Sequence, residues 1–176
     1  MSDSRILVAY FSHPGENYDV GNVAEGSTEI VAKIIAEKTG ADLFEIRKTA
    51  EYPESYDETT KVAQEEVEGH ARPTLAEDIE DISGYDIIFI GYPIWFTDMP
   101  MPVYTFLESH DLNRKIVIPF CTHAGSGLST TLSTIEHMFP KAKVLSGLSL
   151  WGTMVQSNRA ATERVVDEFL AHNKFI

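Results

Sequence analysis

The chain has 176 residues, 43% of them hydrophobic and 23% charged, an ordinary globular mixture that fits one domain over residues 1–176 with a core needing no disulfides. Its net charge of -13 speaks against a nucleic-acid partner, because a phosphate backbone calls for a basic face. A single cysteine, Cys121, excludes an intrachain bridge and fits a reducing cytoplasm; no apolar run reaches the roughly 20 residues of a membrane span, and the opening MSDSRILVAYF holds too short an apolar stretch for a signal peptide.

In chain order, RILVAYF (5–11) reads as a first strand. A long segment follows, with Ser12, Asn17, Asn22, Ser27 and Thr28 interspersed with Gly15, Gly21 and Gly26. A plain strand-to-helix connection takes about two to six residues, so this one is expected to wrap something. Thr28 to Lys38 has helical spacing (Ile30, Val31, Ile34, Ile35) and ends at Gly40, a plausible C′ residue. ADLFEI (41–46) is a shorter strand. Residues 47–84 form an acidic crossover with a helix around 55–68, broken by Arg72-Pro73. YDIIFIGY (85–92) and KIVIPF (115–120) hardly alternate, which predicts strands buried on both faces, and KVLSGLSLWG (143–152) supplies a fifth. Helices are expected at Val103–Ser109, Leu128–Phe139 and Ala160–Asn173. This alternation reads as βαβ units with right-handed crossovers and a parallel sheet.

In such a sheet ligands bind beyond the carboxyl ends of the strands, where three loops are expected side by side. The first ends in Gly26-Ser27-Thr28 at a helix start, where free N–H groups attract an anion and the hydroxyls of Ser12, Ser27 and Thr28 add donors. No lysine or arginine lies between Ser12 and Thr28, so neutral dipoles would hold that anion; an N-cap role for Ser27 or Thr28 is the plainer alternative. The loop lacks the Gly-Lys-Ser/Thr of a Walker P-loop and the GxGxxG of a dinucleotide fold. The second loop, GYPIWFTDMPMP (91–102), sets Trp95 and Phe96 among prolines, a platform for a flat ring unless Trp95 folds back into the core. The third, CTHAGSGLSTT (121–131), offers backbone N–H groups and hydroxyls in a glycine turn.

A phosphate nest, an aromatic wall and a polar glycine turn describe a phosphorylated planar ligand. On YFS…GST, GYPIWF…MPMPVYTFLE and IPFCTHAGSGLSTT the chain resembles the flavodoxin family, in a form with a long first loop, over nearly its whole length. The resemblance implies a three-layer, doubly wound α/β fold with a five-stranded parallel sheet in the order 2-1-3-4-5. It implies FMN, its phosphate held by Ser12, His13, Ser27 and Thr28. The ring would lie between Pro93, Ile94, Trp95 and Phe96 on one side and Thr122, His123, Gly125, Ser126 and Gly127 on the other. Two departures stand out: the insertion of Pro14 to Glu25, and Phe96-Thr97 where relatives often carry tryptophan and glycine.

Other constellations carry less. Ala124-Gly125-Ser126-Gly127 misses the G-x-S-x-G elbow of a serine hydrolase, and the six histidines show no metal spacing. Cys121, at the end of a buried strand, reads as an inert thiol. Tyr52 and Tyr56 either border the flavin edge or pack the crossover. The function expected is electron transfer through FMN. The protein would be an NAD(P)H-dependent reductase of quinones or similar small acceptors, a one-electron carrier whose acidic surface docks a basic redox partner, or a non-catalytic FMN-binding regulator. No side chain is assigned as a catalytic acid or base.

Overall fold

The computed structural model describes residues 4–176; residues 1–3 of the expected domain lie outside the described residues. In chain order its elements are β1 (Ile6–Tyr10), β2 (Gly15–Asn17), β3 (Gly21–Val23), α1 (Ser27–Thr39), β4 (Asp42–Glu45), α2 (Tyr56–Glu68) and β5 (Ile87–Pro93). There follow α3 (Met101–Ser109), β6 (Ile116–His123), α4 (Thr131–Met138), β7 (Lys143–Val144), β8 (Leu148–Trp151), α5 (Gly152–Ser157) and α6 (Arg159–His172).

The central strands explain the layers. Along β1 and β5, Leu7, Ala9, Ile88, Ile90 and Tyr92 enter one apolar cluster, while Val8, Tyr10, Ile87 and Phe89 enter a second on the opposite face. Side chains alternate across a strand, so an unbroken apolar run buries both sides. The first cluster is closed by Val103, Phe106 and Leu107 of α3 and Ile135 of α4, with α2 packed beside α3. The second is closed by Val31, Ile34 and Ile35 of α1, Val155 of α5, and Val166 and Leu170 of α6. The result is a doubly wound α/β sandwich of three layers.

All pairings in the main sheet are parallel, in the order β4-β1-β5-β6, with β7 and β8 both on the outer side of β6. Taken as one interrupted strand, β7 and β8 complete the expected order 2-1-3-4-5. The interruption has a local cause. Val117 pairs with Val144 and Phe120 with Leu148, so the two residues between on β6 face three on the other side. One of those two is Pro119, which has no N–H for the ladder, and one of the three is Gly147, with φ +81. Two further elements lie beyond the sequence reading: the antiparallel hairpin β2–β3 inside the long first loop, and the short helix α5 directly after β8.

At Gly91 the sheet leaves no room for a side chain, since a Cβ there would overlap the Phe120 ring. Gly91→Ala is therefore expected to destabilise the fold by about 1–3 kcal/mol through overpacking, read as a lowered urea midpoint. An unchanged midpoint would mean that the Phe120 ring moves aside at no cost.

Candidate functional site

The site is built around the start of α1. Gly26 occupies the N-cap position and has no side chain to cap with. Ser12, two residues beyond β1 and 17 residues before Glu29, does it instead: its Oγ accepts the Glu29 N–H at 3.1 Å. A Cβ on Gly26 would overlap that oxygen, so the glycine makes the borrowed cap possible. The Ile30 N–H is taken by the Gly26 carbonyl. The N–H groups of Ser27 and Thr28 have no partner among the described residues, and they stand at the positive end of a 13-residue helix.

The side chains around this point are held in place. Thr28 is buried and its hydroxyl pairs with that of Thr122 at 2.9 Å, joining the first loop to the end of β6. Gln156 of α5 donates to the Ser27 hydroxyl and to the Glu25 carbonyl. The buried His13 ring donates through Nε2 to the Pro53 carbonyl at 2.9 Å and thereby fixes its tautomer.

One cavity of about 350 Å³ opens here. Ten of the thirteen expected residues line it: Ser12, His13, Ser27, Thr28, Pro93, Ile94, Trp95, Phe96, Thr122 and His123. Gly125, Ser126 and Gly127 lie beyond its lining. Gly125 faces Trp151, and the Gly127 carbonyl accepts from Ser126 Oγ and Cys121 Sγ. Sequence reasoning missed the rest of the wall: Glu16 to Val20 on the hairpin, Thr59, Thr60 and Ala63 beside Tyr56 on α2, Ala124 after β6, and Gly152 and Thr153 opening α5. Tyr52 does not line this cavity; it packs behind it.

The electrostatics are unusual for an anion site. No lysine or arginine lines the cavity, whereas Glu16 and Asp19 do. The lysine of the first α1 turns, Lys33, is held by both Glu25 and Glu29, and those two hydrogen bonds raise its pKa. Burial lowers the pKa of His123, whose Nδ1 accepts the Gly125 N–H at 2.9 Å. The neutral ring therefore carries its proton on Nε2.

Trp95 is half-buried and edge-on to three rings, Phe11 at 5.2 Å, Tyr52 at 5.1 Å and His13 at 5.8 Å. It thus packs against the core and lines the cavity at once. Beyond it Trp95 and Asp98 exchange two backbone hydrogen bonds of 2.9 Å around Phe96 (φ +49) and Thr97 (φ +63). Two positive φ values at the centre of a two-residue loop define a type I′ turn, which ordinarily takes asparagine or glycine. A β-branched threonine is strained there, and the strain is concentrated beside the cavity.

Thr97→Asn is expected to raise stability by about 1 kcal/mol, since asparagine tolerates the left-handed region. Chemical denaturation measures it, and a loss of stability would mean that the threonine side chain makes a compensating contact. Burial pushes the Cys121 thiol up to about 12, so it is expected to resist iodoacetamide in the native protein and to react only once unfolded, as read by mass spectrometry.

Among the described residues no helix is long and apolar enough to cross a membrane, and no group of three or more His, Cys, Asp or Glu could hold a metal ion. No curated protein matches the sequence. Among solved structures the chain is similar to a provisionally assigned flavoprotein from Bacteroides eggerthii, with 27% identity, TM-score 0.74, and 96% of this chain and 97% of that one covered. A second, from Bacteroides uniformis, is 28% identical with TM-score 0.71, covering 93% and 98%. A flavoprotein from Lactobacillus acidophilus, solved in complex with FMN, shares the fold at 23% identity and TM-score 0.66, covering 88% and 97%. The model of the flavodoxin family matches residues 5–166, and the chain belongs to that family.

Proposed function

We propose that the chain binds FMN without a covalent link and transfers electrons from reduced nicotinamide to a small acceptor of the quinone class. The observation that carries the reading is the pair of unpartnered N–H groups on Ser27 and Thr28, set at a helix N-terminus inside a cavity whose other walls are Trp95 and the Thr122–His123 loop. Such a helix start binds a phosphate through dipoles and backbone donors, with no need for a basic side chain. The Ser27 and Thr28 hydroxyls extend the same cradle, and the Gln156 amide holds the first of them in place. A cavity of about 350 Å³ lies within the usual range for a small-molecule site.

Bound FMN supplies the redox chemistry: NAD(P)H and one proton reduce a quinone to the quinol and leave NAD(P)+. The protein's part is placement. The rings around Trp95 fix the platform, the Thr28–Thr122 pair joins two of the three loops, and no side chain is called on as a catalytic acid or base. A second reading, a one-electron carrier that docks a basic redox partner protein, is favoured by the net charge of -13. The lone cysteine fits a cytoplasmic setting for either.

Mass spectrometry of the cofactor released from purified protein is expected to find FMN; stoichiometric FAD, or no flavin, would overturn the reading. Thr28→Ala should weaken FMN about 10- to 100-fold while affecting riboflavin far less, because the lost hydroxyl serves a charged group. Trp95→Ala should weaken both by about 1–3 kcal/mol. Anaerobic bleaching by NADH or NADPH alone separates reductase from carrier.

A further inference from the structure

Residues 14–25 insert a strap between β1 and α1, and hydrogen bonds and packing hold it on both sides of the cavity. The Glu16 N–H donates to the Glu54 carbonyl at 2.9 Å, and Glu16 Oε2 accepts the Tyr56 N–H at 3.0 Å, which ties the strap to the start of α2. Asn17 Nδ2 donates to the His13 and Gly15 carbonyls. At the far side Val20 lies against Gly152 of α5. The strap therefore crosses the cavity from α2 to α5, with Tyr18 and Asp19 in the β2–β3 turn.

Tyr18 is 69% exposed and Tyr56 40%, yet both line the cavity. Their rings lie 6.2 Å apart and are tilted by 36°, close enough to pair but without parallel contact. Among the described residues six large hydrophobic side chains are exposed, and three of them, Tyr18, Tyr56 and Phe96, line this cavity. A fourth, Trp151, pairs with His123 of the same wall. Scattered exposed apolar residues need no explanation, but a concentration around one opening marks a binding surface. Of the strap's three acids Glu25 pairs with Lys33, while Glu16 and Asp19 line the cavity and have no basic counterpart on its wall.

We infer that Tyr18 and Tyr56 form an aromatic rail that receives the flat ring of the electron acceptor, and that Asp19 selects neutral acceptors over anionic ones. The inference rests on the redox reading above and adds to it the residues that choose the substrate. Tyrosine provides a large flat surface with few rotors to order, and one more aromatic contact is worth a few-fold to about tenfold in binding. A single carboxylate a few ångströms from an acceptor's own negative charge, in a largely aqueous opening, costs a comparable few-fold.

The test uses oxidised, FMN-loaded protein, in which a quinone binds without reacting. Isothermal titration is run with 2-methyl-1,4-naphthoquinone and with 1,4-naphthoquinone-2-sulfonate, and FMN affinity is measured separately for every variant. Tyr18→Ala is expected to weaken the neutral quinone about three- to tenfold with FMN affinity within about twofold of the parent, and Tyr18→Phe to behave as the parent. Asp19→Asn, which keeps a residue suited to φ +68, is expected to tighten the sulfonate about threefold and leave the neutral quinone unchanged. Equal losses of FMN and quinone in Tyr18→Ala would overturn the rail by assigning the tyrosine to the cofactor. Absence of quinone binding to a parent protein that holds FMN and is bleached by NAD(P)H would overturn the rail alone. Failure to hold FMN would overturn both readings together.

Discussion

The hydrogen bond from the Glu29 N–H to Ser12 Oγ is the contact on which the site depends. It closes the chain between the end of β1 and the first turn of α1, and the strap is the loop it closes. Closure entropy grows only slowly with loop length, so a long insertion at this point costs little once its two ends are fixed. The cap also has a positional effect. With Ser12 on the third amide of the helix and the Gly26 carbonyl on the fourth, the two amides left over are those nearest the helix start. The absence of a side chain at Gly26 permits the close approach, so one missing Cβ, one serine and one helix start make a single device.

Around that device the charges are arranged in an unexpected way. The protein is strongly acidic, the cavity wall carries two acids and no base, and Lys33 is neutralised by Glu25 and Glu29. A phosphate in this setting would be held by oriented dipoles at contact distance. The diffuse acidic field opposes it more weakly, because exposed charges are screened over about 10 Å. The same field acts with little competition at the mouth, where Asp19 is exposed. Acidity in such a site would therefore influence which second molecule approaches more than whether the first is held.

The parts of this fold that were legible in the sequence are those whose physics is local. β1, β5 and β6 are apolar runs buried on both faces, and they were read as such within one to three residues at their ends. α1, α3, α4 and α6 have apolar helical spacing and were likewise found. The first and second loops, and the start of the third, reached the cavity as expected because parallel topology brings loop ends to one edge. The missing pieces lack a local signature. Strands of three residues, Gly15–Asn17 and Gly21–Val23, are too short to display alternation, and their pairing is settled by contacts with Glu54 and Tyr56 some 40 residues away. Gln156 reaches Ser27 across 129 residues. Phe96 and Thr97 adopt a turn that their side chains disfavour, which only the reciprocal hydrogen bonds of Trp95 and Asp98 account for.

In the acidic crossover the helix expected around 55–68 is present as Tyr56–Glu68, but its place on the cavity wall was not legible, and α2 shows why. Tyr56, Thr59, Thr60 and Ala63 follow the helical spacing of three and four residues and form one stripe toward the cavity. On α1 the corresponding stripe is Val31, Ile34 and Ile35, facing a packed sheet. A helix that borders a cavity needs less of that apolar signature, because the core closes only part of its inner face, here at Thr59 and Ala63. One further turn along the same stripe brings Glu66, which takes the Tyr52 hydroxyl and pairs with the buried Lys48, whose ammonium lies 3.8 Å from the centre of the Tyr52 ring. Tyr52 in turn packs edge-on against Trp95. A single helix thus holds the strap through its first residue and buttresses the aromatic platform through its last turn. The strap that carries Tyr18 and the ring that backs Trp95 are thus both tied to α2, one at its first residue and the other at Glu66.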